Sequence, residues 1–339
     1  MTNQLKQTIK EMVVVGKGIL AADEGIKSAA KRLASINVES TPETRRQYRN
    51  LILNALGMEK YICGVILFEE TLHQKSDDGI LFPELLGKKG IVPGIKVDDG
   101  LVDLEGSAGE QYTKGLDTLS KRIEEYKKSK PRFAKWRAVY SISENTPSDL
   151  IIKRNAHDLA KYAKICQEHS LVPIVEPEVL IDGTHSIESC YKVTDKVQKA
   201  VFEALKKENV MIEYTILKPS MVISGKQASH RANVDEVARQ TIKCLKSNVP
   251  AEIPSINFLS GGQSPQEATA HLSRMHTLGE KLPWYVSFSY ARALQEPALK
   301  AWQGKNENVR AGQEAFLKRA KLNSLATQGR YSEDMENNK

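Results

Sequence analysis

Charged residues lie at the ends of several short apolar segments of this sequence, where they could act as nucleophiles or transfer protons. These residues are Asp23, Lys96, Lys135, Arg137, Glu176, Glu178, Lys218 and Arg292. A lysine that is partly desolvated and crowded by other cations has a lowered pKa, so its neutral amine can attack a ketone. Carboxylates with a raised pKa can then move protons while a carbinolamine and an imine form. We identify Lys218 as the candidate nucleophile.

Two of these segments carry like charges two residues apart, Lys135 with Arg137 and Glu176 with Glu178. Residues two apart share one face of a β-strand, so both members of each pair can point to the same side. Each signal also has a structural interpretation. A lone lysine at a strand end often extends to the surface, and the glutamates could be buried salt-bridge partners. The joint pattern favours a functional site, because burying so many charges costs more than apolar packing.

A serine and two glycines, Ser260, Gly261 and Gly262, end the seventh apolar segment, and Ser289, followed by Arg292, ends the eighth. A glycine pair alone indicates only a turn. However, glycine-rich backbone after the seventh strand of a barrel, with a cation after the eighth, is the usual phosphate site of such barrels. We therefore predict a phosphate-binding site there, with a second cation cluster opposite it for a second phosphate.

The apolar segments alternate with helical patterns along the chain. The predicted strands are Gly18–Asp23, Ile62–Phe68, Val92–Val97, Trp136–Ile142, Val172–Leu180, Tyr214–Lys218, Ile256–Ser260 and Val286–Tyr290. Helix-start signals lie between them at Thr41–Glu43, Thr146–Asp149 and Ser264–Glu267. This alternation predicts an α/β fold, a single parallel (β/α)8 TIM barrel, with catalytic residues at the C-terminal ends of its strands. No G-x-G-x-x-G or G-x-x-x-x-G-K motif occurs, which disfavours a doubly wound nucleotide-binding fold.

We expect one barrel domain over residues 1–339, with an N-terminal helix at about residues 2–15 and a short, mobile polar tail at about residues 332–339. The apolar runs are far shorter than the roughly 20 residues that span a bilayer. Lys6, Lys10 and Glu11 would interrupt any signal-peptide core. We therefore predict a cytoplasmic protein with no membrane partner.

Lysine and arginine outnumber aspartate and glutamate by 49 to 42, and the resulting net charge of +7 suggests an anionic partner. Aromatic residues make up only 6% and no nucleic-acid-binding module is present, so we predict small phosphosugars rather than nucleic acid. The sequence has no C-x-x-C, H-x-H or H-E-x-x-H pattern. We therefore expect no metal and no cofactor, with all cysteines buried as free thiols. The cysteines are Cys63, Cys166, Cys190 and Cys244.

Nine motifs resemble, in the same order, those of class I fructose-bisphosphate aldolases, over essentially Leu5 to Tyr331. The motifs are Leu20–Glu24, Gly64–Phe68, Gln74–Gly79, Gly94–Asp98, Phe133–Arg137, Val172–Glu178, Leu217–Pro219, Phe258–Ser264 and Ser287–Gln295. The resemblance implies a (β/α)8 barrel and a homotetramer. It also implies reversible cleavage of fructose 1,6-bisphosphate to dihydroxyacetone phosphate and glyceraldehyde 3-phosphate, a glycolytic reaction, through a lysine Schiff base.

By motif position, the resemblance implies a role for each site residue. Lys218 would form the Schiff base, and Glu176 would be the main proton-transfer residue. Glu178, Lys135 and Asp23 would assist with carbinolamine dehydration and the C4 hydroxyl. The residues implied to contact the substrate or its phosphates are Ser28, Arg32, Lys96, Arg137, Ser260, Gly261, Gly262, Ser289 and Arg292.

Three features depart from the family pattern. Gly25–Ser28 reads Gly-Ile-Lys-Ser where family members commonly have Ser-Thr-Gly-Ser, and Ala291 replaces a glycine that precedes the phosphate-binding arginine. The eukaryotic enzymes end in a mobile tail with a terminal tyrosine, whereas the last tyrosine here is Tyr331. We therefore expect changed phosphate contacts beside Gly25. We also expect proton exchange at the dihydroxyacetone carbon to be slow or to use another base.

Several other functions are compatible with parts of the pattern. A metal-dependent class II aldolase would need a histidine cluster for zinc, which the sequence lacks. A related imine-forming lyase would use Lys218 on a monophosphate such as fructose 1-phosphate. A non-catalytic binding barrel would be expected to lack one of Lys218, Glu176 and Lys135, and all are present. A binding role in addition to catalysis stays open.

Overall fold

The computed structural model describes residues 2–107 and 109–337, and within those ranges eight parallel strands close a barrel. In chain order, the barrel strands together with β4 and β5 of a separate two-stranded sheet are β1 (Gly18–Ala22), β2 (Ile62–Leu67), β3 (Val92–Lys96), β4 (Leu101–Asp103), β5 (Gln111–Thr113), β6 (Phe133–Tyr140), β7 (Val172–Val179), β8 (Ile216–Leu217), β9 (Ser255–Phe258) and β10 (Tyr285–Tyr290). Around the barrel the order is β1, β2, β3, β6, β7, β8, β9 and β10, which pairs again with β1. The predicted α/β class and (β/α)8 barrel are confirmed.

Each predicted strand has a counterpart, although every one differs from its prediction by one to three residues at one or both ends. The fourth begins at Phe133 rather than Trp136. The sixth is reduced to the two residues of β8, because Ile212–Tyr214 forms a 3-10 turn. The antiparallel hairpin of β4 and β5 was not predicted. Its three-residue strands contain no long apolar run, since they pair with each other outside the barrel.

Helices occupy the connections between the barrel strands. They are α1 (Thr2–Met12), α2 (Ile26–Ala34), α3 (Pro42–Leu53), α4 (Glu69–Leu72), α5 (Phe82–Lys88), α6 (Leu119–Tyr126), α7 (Asp149–Glu168), α8 (Ile187–Lys207), α9 (Val234–Asn248), α10 (Pro265–His276), α11 (Arg292–Trp302) and α12 (Val309–Ala326). Thr41 and Ser264 form capping boxes before α3 and α10, and Ser148 caps α7. In the part of the chain that the structure describes, no helix combines the length and apolar character that crossing a bilayer requires.

The inward faces of the strands form an apolar layer at the N-terminal end of the barrel. Phe133, Val172 and Ile216 belong to one buried cluster there. Leu5 and Met12 of α1 join the same cluster, so α1 packs across this end of the barrel. The helix ends at Met12 rather than near residue 15, because β-branched valines follow it and the chain turns at Gly16, which has a φ of +78°.

The polar segment near the C-terminus, for which mobility is expected, folds back against α12. Glu333–Glu336 forms a 3-10 turn, and both carboxylate oxygens of Glu336 accept hydrogen bonds of 2.6 Å from the buried Arg319. Tyr331 donates a further hydrogen bond to Glu336, at 2.9 Å. A buried guanidinium needs such a partner, which explains why the segment folds back. Residues 338 and 339 of the predicted tail lie outside the described ranges.

We expect Gly94→Ala to destabilise the barrel, because a Cβ at Gly94 would lie 2.3 Å from two ring carbons of Phe133. Overpacking a core typically costs about 1–3 kcal/mol, so the free energy of unfolding in urea should fall by that amount. Gly87→Ala is the matched control, because Gly87 lies in α5 and its Cβ would meet no described atom within 4 Å. That change should raise stability by about 0.5–1 kcal/mol. Equal stabilities for the two variants would show that Phe133 does not need this glycine.

Candidate active site

Every predicted site residue lines one cavity at the C-terminal ends of the barrel strands. The cavity has a volume of about 270 Å³. The predicted residues along its wall are Asp23, Ser28, Arg32, Lys96, Lys135, Arg137, Glu176, Glu178, Lys218, Ser260, Gly261, Gly262, Ser289 and Arg292. They come from strand ends, loops and helix starts far apart in sequence, because parallel strands of a closed barrel all end on the same rim.

A buried carboxylate lies between two lysines at the centre of the cavity. Glu176 Oε1 is 3.2 Å from Lys218 Nζ, and Glu176 Oε2 is 3.3 Å from Lys135 Nζ. Lys135 Nζ also lies 2.7 Å from Asp23 Oδ2. Lys135, Glu176 and Lys218 are buried. The chain of contacts from Asp23 through Lys135 and Glu176 ends at Lys218, so a proton on the Lys218 amine has a carboxylate acceptor within reach.

Asp98 is a member of this cluster that the sequence interpretation did not single out. Its Oδ1 atom lies 2.7 Å from Lys96 Nζ, and its Oδ2 atom lies 3.8 Å from Lys135 Nζ. Oδ2 is buried and has no hydrogen-bond partner among the described residues. Asp98 lies two residues after Lys96 at the end of β3, and that spacing is the signal that could have identified it.

The cluster fixes opposite charges on Asp23 and Lys135. Burial alone would raise the pKa of Asp23, but the ammonium groups of Lys135 and Lys218 outweigh it and hold that pKa well below its usual value. Burial would lower the pKa of Lys135, but Asp23, Glu176 and Asp98 together raise it above its usual value. Asp23 is therefore an anion and Lys135 a cation at neutral pH.

The second pair of predicted charges forms an ion pair on the cavity wall. Arg137 Nε donates to Glu178 Oε2 at 2.5 Å. Burial would lower the pKa of Arg137, but Glu178 raises it. Thr113 of β5 donates to the carbonyl of Arg137 at 2.5 Å, so the unpredicted hairpin supports this strand. Glu178 is thus paired with Arg137, whereas Glu176 contacts Lys218.

The glycine-rich loop after β9 faces the start of α11. Gly261 and Gly262 have φ angles of +52° and +82°, a left-handed backbone that favours glycine. A Cβ at Gly262 would lie 2.9 Å from Ile181 Cγ2 and 3.5 Å from Arg292 Nη2. The Ser289 hydroxyl is buried without a hydrogen-bond partner among the described residues, and it belongs to the cavity wall. Backbone N–H groups, an unpaired hydroxyl and an arginine suit a phosphate group.

On the other side of the cavity, Arg32 is paired inside the protein. Its Nη1 atom contacts Glu24 Oε1 and lies 3.3 Å from the Tyr48 hydroxyl. Glu24 Oε2 also lies 2.6 Å from Arg49 Nη1, and Glu24 Oε1 accepts a hydrogen bond of 2.7 Å from Gln295. Glu24 was missed in the sequence, although it directly follows Asp23. Its carboxylate fixes the position of Arg32 at the cavity.

The departures from the family pattern have local consequences. Gly25 precedes α2 without a side-chain cap, and Ile26 at the start of that helix is exposed. Ala291 has a φ of −102° and a ψ of −89°, so its backbone lies outside the left-handed region that favours glycine. Tyr331 donates to Glu336 and is not among the residues of the cavity wall.

The remaining candidate reactive groups lie outside the cavity. The four cysteines, Cys63, Cys166, Cys190 and Cys244, are free and buried, as predicted. Within residues 2–107 and 109–337, no group of three or more histidine, cysteine, aspartate or glutamate side chains is arranged to hold a metal ion.

Comparison with known proteins identifies the family. The family model described as fructose-bisphosphate aldolase class-I matches residues 4–339. A probable fructose-bisphosphate aldolase class 1 of Xanthomonas axonopodis is 51% identical over 329 residues, which are 97% of this chain and 98% of that protein. The cytosolic fructose-bisphosphate aldolase 4 of Arabidopsis thaliana is 50% identical over 95% of this chain and 82% of its own length.

A solved structure shares the whole fold. The fructose-bisphosphate aldolase of Plasmodium falciparum, crystallised with TRAP and a small-molecule inhibitor, superposes with a TM-score of 0.95. It is 47% identical to this chain, and the match covers 97% of this chain and 95% of that one. The chain therefore belongs to the class I fructose-bisphosphate aldolase family.

Proposed function

We propose that this chain catalyses the reversible cleavage of fructose 1,6-bisphosphate to dihydroxyacetone phosphate and glyceraldehyde 3-phosphate through an imine on Lys218. The observation that carries the proposal is the contact of 3.2 Å between Lys218 Nζ and Glu176 Oε1 in a cavity walled by cations. Imine formation needs a neutral amine and a nearby group that exchanges protons. Lys218 and Glu176 supply this pair of groups.

The reaction begins when the Lys218 amine, after passing a proton to Glu176, attacks the C2 carbonyl of the ketose. Glu176 returns the proton to the carbinolamine hydroxyl, water leaves, and a protonated imine forms. This cation accepts the electron pair of the C3–C4 bond as the bond breaks. Asp23, whose pKa is lowered, accepts a hydrogen bond from the C4 hydroxyl and orients it, while Glu176 is the group that removes its proton. Protonation of the enamine and hydrolysis of the imine release dihydroxyacetone phosphate and regenerate Lys218.

The cations around the cavity bind the two phosphates. Ser260, Gly261, Gly262, Ser289 and Arg292 bind the phosphate on the dihydroxyacetone side, beside Lys218. Lys96 and Arg137 line the sugar-binding part, and Ser28 with Arg32 contacts the second phosphate. Lys135, fixed as a cation by Asp23, Asp98 and Glu176, keeps Glu176 oriented towards Lys218. Electrostatic preorganisation of this kind contributes more in a water-poor cavity than it would in water.

Four broader properties complete the proposal. We infer that the chain forms a single domain that assembles into a homotetramer, acts in glycolysis and resides in the cytoplasm. The localisation is supported by the word "cytosolic" in the names of plant relatives such as aldolases 4 and 6 of Arabidopsis thaliana.

The homotetramer can be tested by light scattering after size-exclusion chromatography. The expected molar mass is four times that of the 339-residue chain, and it should persist across a dilution series. A mass of one chain, with full aldolase activity, would contradict the tetramer.

The imine can be trapped directly. Borohydride reduction with dihydroxyacetone phosphate should attach the ligand to the peptide that contains Lys218, and activity should persist in a chelator. Lys218→Met should abolish the adduct and lower kcat by roughly 10⁴-fold or more, because the covalent route is lost. Lys226→Met, at an exposed lysine outside the cavity wall, is the matched control and should behave like the wild type. An adduct on another lysine, or loss of activity in the chelator, would contradict this mechanism.

Lys135→Met should lower stability at neutral pH, and this loss should shrink as pH falls from about 5 to about 3. In the wild type the pKa of Asp23 is lowered, so its stabilising effect is present above its unfolded pKa and is lost only as pH falls through the folded value. In the variant, Asp23 loses the ammonium group that does most to offset its burial, so its folded pKa rises towards the unfolded value. The variant then lacks part of the stabilisation that ionised Asp23 gives the wild type, and this deficit disappears as Asp23 is protonated.

The measurement is the Tm of both proteins across this pH range. Lys128→Met is the matched control, because its side chain is 73% exposed and pairs with Glu125 on the surface. Its Tm should follow that of the wild type with pH. A parallel Tm profile for Lys135→Met would mean that Lys135 does not hold Asp23 in its charged form.

A further inference from the structure

A buried glutamine follows the glycine-rich loop after β9 and holds its first carbonyl. Gln263 donates to the Ser260 carbonyl twice, from its backbone N–H at 3.0 Å and from Nε2 at 3.1 Å. Nε2 also lies 3.7 Å from the sulfur of Met221, in the segment that follows Lys218. Gln263 thus ties the loop after β9 to the loop after β8, and only 6% of its surface is exposed.

The direction of the Ser260 carbonyl determines where the next N–H points. The bond between Ser260 and Gly261 is trans, and a trans peptide directs its C=O and N–H to opposite sides of the chain. Because Gln263 binds the carbonyl on one side, the Gly261 N–H points to the other side. Gly261 belongs to the cavity wall, so this N–H is available to an anion there. Any rotation of this peptide would turn the donor away.

The glutamine amide is itself fixed by a histidine of α10. His271 Nδ1 lies 2.6 Å from Gln263 Oε1, and the imidazole is only 4% exposed. The orientation of the amide is determined, because an oxygen in the Nε2 position would face the Ser260 carbonyl oxygen, which accepts but cannot donate. Gln263 Oε1 must therefore accept, and His271 Nδ1 must carry the hydrogen.

The histidine is neutral at physiological pH. Burial lowers the pKa of His271 to about 4, against the opposing effect of Glu267 and with a smaller contribution from Arg231. The neutral ring has one N–H group, and the contact with Gln263 places it on Nδ1. A continuous relay of hydrogen bonds therefore runs from His271 through Gln263 to the Ser260 carbonyl.

We infer that His271 is a positioning residue for phosphate binding, because it fixes Gln263 and thereby aims the Gly261 N–H into the cavity. This inference rests on the proposed function, in which the loop Ser260–Gly262 binds the phosphate on the dihydroxyacetone side. His271 touches neither the substrate nor the reacting atoms. Its contribution is to hold a backbone donor in place before the phosphate arrives, so binding does not have to reorient the peptide.

The test separates loss of the Nδ1 donor from loss of packing. His271→Leu removes the donor and leaves Gln263 Oε1 buried without a partner, which should raise the KM for fructose 1,6-bisphosphate about 10-fold. The inhibition constant of inorganic phosphate should rise by a similar factor, while kcat changes little. His271→Asn should restore both constants, because Asn Nδ2 stands two bonds from Cβ, where His Nδ1 stands.

The matched control is His276→Leu, at the other end of the same helix. His276 is largely buried, and its Nε2 atom lies 2.9 Å from the Val286 carbonyl, where β10 begins. This variant should lower Tm but leave the KM unchanged. If His271→Leu does not fold, the same constants are measured in Gln263→Met, which removes the amide and keeps a similar side-chain volume. An unchanged KM in the folded variant, or an equal rise in His276→Leu, would overturn the inference.

Arg292→Ala distinguishes failure of this inference from failure of the proposed function. If the wild type cleaves fructose 1,6-bisphosphate and Arg292→Ala raises the KM, these results support the proposed phosphate site. An unchanged KM in His271→Leu would then contradict only the role of His271. A wild type that neither cleaves the substrate nor forms the imine would instead contradict the proposed function and with it the inference.

Discussion

The carboxylate of Glu176 lies buried between two ammonium groups, 3.2 Å from Lys218 Nζ and 3.3 Å from Lys135 Nζ, and the rest of the site is arranged around it. Burying three charges in this way is not a route to stability, since apolar residues of similar volume often stabilise a core more. The arrangement is tolerated because Asp23 and Asp98 also face Lys135. Each member of the cluster therefore depends on the others for charge balance.

Along the inward faces of the barrel strands, the side chains change from apolar to charged, and this change produces the cluster. On β7, Ile174 belongs to the apolar interior layer, and Glu176, two residues later on the same face, belongs to the cavity wall. On β6 the same step leads from Phe133 to Lys135. The period of two along a strand thus places an apolar layer at the N-terminal end and charges at the C-terminal end. A register slip of one residue would turn these charges outward, into the apolar interface between the strands and the helices.

The alternation of apolar segments with helical patterns was sufficient to predict the barrel, and the charges at the ends of those segments predicted much of the cavity wall, because both depend on local sequence and on one topological rule. Ser28 and Arg32 of that wall were predicted only from the family resemblance. The partners of those residues were not predictable in the same way. Glu24 bridges Arg32 and Arg49, and His271 holds Gln263, through side-chain positions that only the folded chain defines. The sequence alone does not distinguish a buried histidine of a helix from the other residues of the core. The hairpin of β4 and β5 was missed because its strands are too short to show a period.

The two ends of the cavity are built differently, and the difference matches the order of events in the proposed reaction. In the proposed reaction, the phosphate beside Lys218 meets backbone N–H groups and the hydroxyl of Ser289, which has no hydrogen-bond partner among the described residues. At the other end, Arg32 already has an internal partner in Glu24. Release of a phosphate there leaves no buried cation without a counter-charge. The product that must leave first, glyceraldehyde 3-phosphate, departs from this end, while the other fragment is still held covalently at Lys218.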